Sequence, residues 1–294
     1  MARAAALEQQ RVQPDRHLAR AVQLVARYLV LAVLAVLFVA PLVWLLLASL
    51  RPTQEIFRYV APLSGRTFWP ESFTLDGYAR LMDGPFPHAL LNSIILAVAT
   101  AIGGVLVNAL AAYPFARLAF PGRDLLFGLF LATIMIPFEV TVVPLFVLMK
   151  LFGWVDSYQG LILPGIVNPF AVFLLRQFFL EIPKDIEDAS RIDGCSRIGT
   201  FWRVVLPMSV PVLTTVALIS FQAGWDAFLW PLVVTNSETL RVAQVAVATM
   251  IGGDVVNWDQ VFTASAVLAL PSMLLFVVFQ RFYVRSGALS GLKG

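Results

Sequence analysis

Six stretches of this chain are apolar over about 20 residues or more, and that length dictates the solvent in which it folds. They run approximately 28–50, 89–113, 125–149, 160–180, 208–234 and 262–284. In hydrocarbon every backbone N–H and C=O must find a partner within the spanning structure, so helices or closed barrels result. Barrel strands read as alternating segments of about ten residues. These runs are continuous and longer, which predicts helices. Only 13% of the 294 residues are charged, against about 25% in soluble domains. The expected fold class is an all-α membrane protein of six transmembrane helices.

The first 27 residues are polar and basic, with Arg3, Arg11, Arg16, Arg20 and Arg27. The apolar run that follows is longer than a secretory core of about 7–15 residues, so it reads as an uncleaved first span. Six spans put both termini on one side. With the termini inside, 15 of the 21 basic residues fall inside and six outside, which predicts cytoplasmic termini. The basic pI of 9.2 therefore reflects helix orientation and calls for no nucleic acid. The expected organisation is a cytoplasmic tail at 1–27, a transmembrane domain at 28–284 and a second cytoplasmic tail at 285–294. Residues 51–88 and 235–261 form long external segments. The second holds the short apolar stretch Val242–Ile251, too short to span and read as a short external or re-entrant helix. Ala99, Gly103, Gly104, Asn108 and Ala112 in the second span suit close helix packing.

Catalytic and metal chemistry finds no support. Cys195 is the single cysteine, and His17 and His88 lie in no ligand pattern. The stretch Gly194–Thr200 has the glycine spacing of a phosphate loop, but Thr200 stands where that motif needs lysine. No metal, cofactor or catalytic residue is expected on this chain.

Between the fourth and fifth spans lies a charged island, EIPKDIEDASRIDGCSRIGTFWRVVLPMSVP, at residues 181–211. It holds nine of the chain's 39 charged residues, and only water or a protein partner accommodates it between spans. Pro183 suits a first helical turn, and Asp185, Glu187 and Asp188 follow where the helix dipole favours anions. Glu187 and Arg191 stand four apart in the favourable acid-first order. Gly194 can end this helix in a conformation open to few other residues. Ser196 then caps a second helix, with Ile198, Phe201, Trp202 and Val205 as one apolar stripe. Two short helices hinged at Gly194 follow. An anionic lipid surface repels the acidic first helix, so a protein socket suits the island better.

This stretch resembles the EAA loop of permeases in bacterial binding-protein-dependent ABC importers. The carriers are Glu187-Asp188-Ala189, Asp193-Gly194 and Val204-Val205-Leu206-Pro207; Asp188 replaces the usual middle alanine. The segments at 174–179, 224–234 and 276–294 are similar to the maltose-type carbohydrate branch. The resemblance implies a prokaryotic inner-membrane subunit that pairs with a second, non-identical permease and two ATPase subunits. ATP and Mg²⁺ belong to the ATPases, and an extracytoplasmic binding protein delivers the solute. Glu187, Asp188, Ala189, Asp193, Gly194, Ile198, Phe201, Leu206 and Pro207 are the implied ATPase-coupling residues. The tail Ser286–Gly294 is similar to ones that reach the ATPase interface.

Two carboxylates, Glu139 and Asp226, fall inside spans. Each costs about 2.5–3.5 kcal/mol at mid-membrane, which points them to the bundle interior or a water-filled path. Asp226 has Gln222, Trp225 and Trp230 nearby, and aromatic faces with polar groups suit a sugar. Asn168 before Pro169 adds a polar break. Asn168, Gln222, Trp225, Asp226, Trp230 and Glu139 are the pathway candidates, with packing or contact to the partner permease as the alternative role. The leading function is therefore carbohydrate import. Glycerol-3-phosphate import is the runner-up, disfavoured by the scarcity of basic residues in spans two to five. An ion-coupled secondary transporter using Glu139 and Asp226 is the alternative from another class.

Overall fold

In a computed structural model the described residues, 14–62, 64–252 and 256–290, form helices joined by turns and irregular segments, with no strand among them. Side chains are described for 20–62, 64–252 and 256–280. The side chains of the tail Ser286–Gly294, likened above to ones that reach the ATPase interface, lie outside them. The chain divides into two compact units, Met1–Gly77 and Tyr78–Gly294.

In the first unit α1, Pro14–Ala48, contains one long apolar span. It begins before residue 28, so residues 14–27 of the basic segment belong to the same helix. Residues 20–43 of α1 are exposed. The segment after α1 is ordered by two buried charges. Arg51 donates to the carbonyls of Arg66 and Thr67 at 3.1 and 2.8 Å. Glu55 accepts from the amide of Glu71 at 2.7 Å.

The second unit is organised on α3, Phe86–Arg117, after the short α2, Asp76–Asp83. Next come α4 (Arg123–Ala132), α5 (Phe138–Leu151), α6 (Tyr158–Ile162) and α7 (Pro169–Glu181). Then follow α8 (Lys184–Ile192), α9 (Arg197–Thr200), α10 (Val210–Trp225), α11 (Leu229–Val234), α12 (Ala243–Ile251) and α13 (Trp258–Ser290). The apolar stretch at 242–251 thus forms the short helix α12. Helix α3 packs chiefly on α10 and α7. Small residues make this possible. A Cβ on Gly224 would stand 2.8 Å from Ala97 Cα, and one on Gly104 2.6 Å from Ser220 Oγ.

Three expected spans are broken where single helices were expected. Thr133–Met135 extends α4, and at Pro137 the chain bends by 104° between Arg123–Met135 and Phe138–Leu151. Proline cannot donate the helical hydrogen bond there. The fourth span bends by 46° between Tyr158–Gly165 and Pro169–Glu181. Asn108, fully buried, repairs that break. It donates to Ile166 O at 3.0 Å and accepts from the Asn168 amide at 2.9 Å. The expected fifth span stops at Trp225, and residues 226–228 interrupt it before α11. Broken helices are tolerated at membrane depth only where such partners, or water, satisfy the freed groups.

Candidate functional site

The island at 181–211 folds as two helices about a glycine turn. Helix α8 begins at Lys184 after Pro183 and carries Asp185 and Glu187 in its first turn. It ends in a Schellman turn: Gly194 N–H donates to Arg191 O and Cys195 N–H to Ser190 O, both at 3.0 Å. Gly194 has φ +84°, and a Cβ there would meet open space. The demand for glycine is therefore conformational, with no steric part. Ser196 Oγ accepts the Gly199 amide at 3.1 Å and caps α9. A π-helical turn, Phe201–Val205, and the turn Leu206–Met208 extend α9 to an 82° bend before α10.

The π-turn breaks the expected apolar stripe. Phe201 and Val205 are buried against Tyr113, Phe179 and Val216, whereas Ile198 and Trp202 are exposed. An extra residue in the turn shifts the faces out of helical register.

The expected Glu187–Arg191 pair is not formed. Arg191 instead meets Asp188 at 3.2 Å on the surface. Glu187 turns inward, and its carboxylate lies 2.6 Å from Arg117 at the end of α3, with both side chains 5% exposed. The two atoms touch without hydrogen-bond alignment, so the contact is chiefly coulombic. Arg117 also donates to Ile182 O at 2.5 Å. Ser190 and Thr200, both buried, share a hydroxyl hydrogen bond of 2.8 Å that ties α8 to α9. Sequence spacing could not reveal the Arg117 partnership, because it joins residues 70 positions apart.

What remains outward is the tip. Asp188, Ala189, Asp193, Gly194 and Pro207 are exposed, and Leu206 is half-buried. Asp188, the departure from the EAA pattern, faces water and disturbs no packing. Ile192 is 87% exposed and Ile198 72%.

A cavity of about 480 Å³ lies where α10 gives way to α11. Thr100, Phe138, Asp226, Phe228 and Trp230 line it, and Asp226 is its one charged residue. Gln222 donates to Asp226 Oδ2 at 2.6 Å and to Ser272 Oγ at 3.0 Å, holding the carboxylate. Trp230 Nε1 donates to Gly160 O at 2.9 Å, and its ring meets Phe138 edge-on. The Thr100 hydroxyl is buried without a partner. Of the six pathway candidates, Asp226 and Trp230 therefore line the cavity and Gln222 supports it. Trp225 is buried, donating to Leu268 O at 3.1 Å. Asn168 caps α7, accepting the Phe170 and Ala171 amides. Glu139 is exposed in the first turn of α5, away from the cavity lining. Thr100, Phe138 and Phe228 escaped the sequence reading. Thr100 alone carried a signal, as a polar residue in an apolar span. Among the described residues no group of three or more His, Cys, Asp or Glu could hold a metal ion.

The opposite end of α3 is fastened by neutral groups. Asn92, fully buried, donates to the carbonyls of Thr239 and Arg241 and accepts from Tyr158 Oη at 2.7 Å. Nearby, Asp156 Oδ1 accepts the Asn236 and Ser237 amides, each at 3.0 Å. The Ser237 amide, then that of Asn236, holds the Asp156 carboxyl below the usual range.

Residues 104–286 match the family model described as binding-protein-dependent transport system inner membrane component. The chain belongs to that family, and it is a multi-pass membrane protein. It is 36% identical to the arabinooligosaccharides transport system permease protein AraQ of Halalkalibacterium halodurans, over 90% of this chain and 94% of that one. It is also 36% identical to the sn-glycerol-3-phosphate transport system permease protein UgpE of Pectobacterium atrosepticum, over 87% and 92%. Its fold matches a bacterial ABC transporter involved in import of the acidic polysaccharide alginate, with TM-score 0.80 and 18% identity. That match covers 90% of this chain and 98% of the other.

Proposed function

We propose that this chain is the permease subunit of an ATP-binding-cassette importer and forms half of the pathway for a sugar or oligosaccharide. Both termini and the 181–211 loop face the cytoplasm. The loop docks on one of two ATPase subunits, which hold ATP and Mg²⁺ and carry out hydrolysis. A second, non-identical permease supplies the other half of the path, and an extracytoplasmic binding protein delivers the cargo.

The observation that carries this reading is the divided character of the loop. Its root is pinned to α3 through Arg117 and Glu187, while Asp188, Ala189, Ile192 and Asp193 stand outward. A rigid root transmits force, and an exposed apolar and acidic tip supplies the docking surface. The cargo class rests on the cavity. Trp230, Phe138 and Phe228 offer faces for sugar rings, and Asp226 accepts hydroxyls. The arabinooligosaccharide relative supports the same class.

Glycerol-3-phosphate is the second reading, favoured by the identity to UgpE. Asp226 opposes it, because no cation lines the cavity to balance a phosphate. The test is uptake by the assembled importer in proteoliposomes. Vanadate-sensitive uptake of neutral arabinotriose, without uptake of glycerol-3-phosphate, supports the proposal. Uptake driven by an ion gradient without ATP overturns it. Asp226→Asn should lower uptake, and unchanged transport at normal assembly would remove Asp226 from the pathway.

A further inference from the structure

The two helices of the loop differ in charge. Helix α8 sets Asp185, Glu187 and Asp188 against Lys184 and Arg191, for a net charge of −1, whereas residues 197–208 carry Arg197 and Arg203 and no acid, for a net charge of +2. Neither arginine forms an ion pair among the described residues. The acids Glu187 and Asp188 of α8 are paired with Arg117 and Arg191, so the unpaired cations of the α9 segment are what an anionic membrane surface attracts.

Beside α9 lies a groove of about 470 Å³, walled by Leu110, Tyr113, Leu118, Ile198 and Trp202. Arg197 is the one charged residue that lines it. The groove continues an exposed apolar face of α3, because Ile102, Leu106 and Leu110 stand four residues apart and all are exposed. That face belongs to a span, so acyl chains reach the groove along it. The exposed Trp202 carries an amphipathic ring of the kind that settles at headgroup depth. A cation at the mouth of an apolar slot, at the end of a membrane helix, matches a lipid with a negative head.

We propose that this groove binds an anionic phospholipid of the inner leaflet. Its acyl chain lies along Leu106 and Leu110, and its phosphate pairs with the Arg197 guanidinium. The leaflet follows from the orientation proposed above; the site itself does not depend on that orientation.

The test is native mass spectrometry of the assembled importer, released from nanodiscs of equal phosphatidylglycerol and phosphatidylcholine. The wild type should retain phosphatidylglycerol in preference. Arg197→Gln should lower that preference about fivefold, the weight of one basic residue at an anionic surface. Leu110→Trp, which fills the groove and keeps the charge, should lower total retained lipid. Arg203→Gln, outside the groove, should change little. Equal retention of the two lipids by the wild type overturns the proposal without variants. So does loss of ATPase subunits from Arg197→Gln with lipid preference intact, because that outcome assigns the groove to the ATPase. Failure of sugar uptake in every variant and the wild type would strike the transport reading and leave this one standing.

Discussion

Helix α3 is fastened at both ends, and the two fastenings use opposite chemistry. Near its start, Asn92 binds backbone carbonyls of the 239–241 segment through neutral hydrogen bonds. At its end, Arg117 meets Glu187 of the loop as a buried ion pair. The two sites lie about 37 Å apart along the helix, at ~1.5 Å per residue. Neutral hydrogen bonds to a loop satisfy its backbone and hold it still. A buried ion pair is costly to desolvate, and apolar residues of similar volume often serve stability as well. The pair at the Arg117 end therefore contributes position more than stability, which is what a force-bearing joint requires.

The sharpest way to break this comparison is to separate position from stability at the Arg117 end. Arg117→Leu or Glu187→Leu alone strands a buried charge and should cost about 3–5 kcal/mol. The double substitution should recover most of that in thermal unfolding, while uptake per ATP hydrolysed stays low. If the double variant transports normally, the pair has no role in coupling.

At the other end, Asn92→Ala removes the three hydrogen bonds of a fully buried side chain, at about 1–3 kcal/mol. Hydrogen exchange should rise at 238–242 and stay unchanged in α8. Exchange spreading to α8 would mean that the two fastenings are one.

Gly194→Ala should cost roughly 1–2 kcal/mol, from φ alone. Because the space beside Gly194 is open, Gly194→Val should exceed that only through its stiffer backbone. A far larger loss for valine would reveal a contact partner at the tip.

The smallest effect concerns acid. The folded Asp156 carboxyl sits below its ordinary value, so its contribution is present above that value and lost as pH falls through the depressed one. Exchange at Asn236 and Ser237 should rise only in acid, and Asp156→Asn should remove the dependence.

Much of this was legible in the sequence because it is local. The Gly194 turn, the Ser196 cap and the α12 helix each rest on residues within a few positions of one another. The span breaks were partly legible: Pro137 and Pro169 marked two, but nothing local marked residues 226–228. Long-range partners stayed hidden. Spacing favoured Glu187 with Arg191, yet a cation across the fold at the end of α3 captured it. Trp225 and Asn168 looked like pathway groups by type, and packing gave them to Leu268 and to the α7 cap.

The most direct test of the central claim uses Ile192, which stands outward at the loop tip with 87% exposure. Ile192→Asp removes little intrachain packing, so thermal stability should hold. Cargo uptake per ATP hydrolysed, measured with the assembled importer in proteoliposomes, should fall about tenfold or more, the weight of ~1.4 kcal/mol at a buried docking contact. Unchanged coupling would mean that ATPase motion enters the membrane somewhere other than this loop.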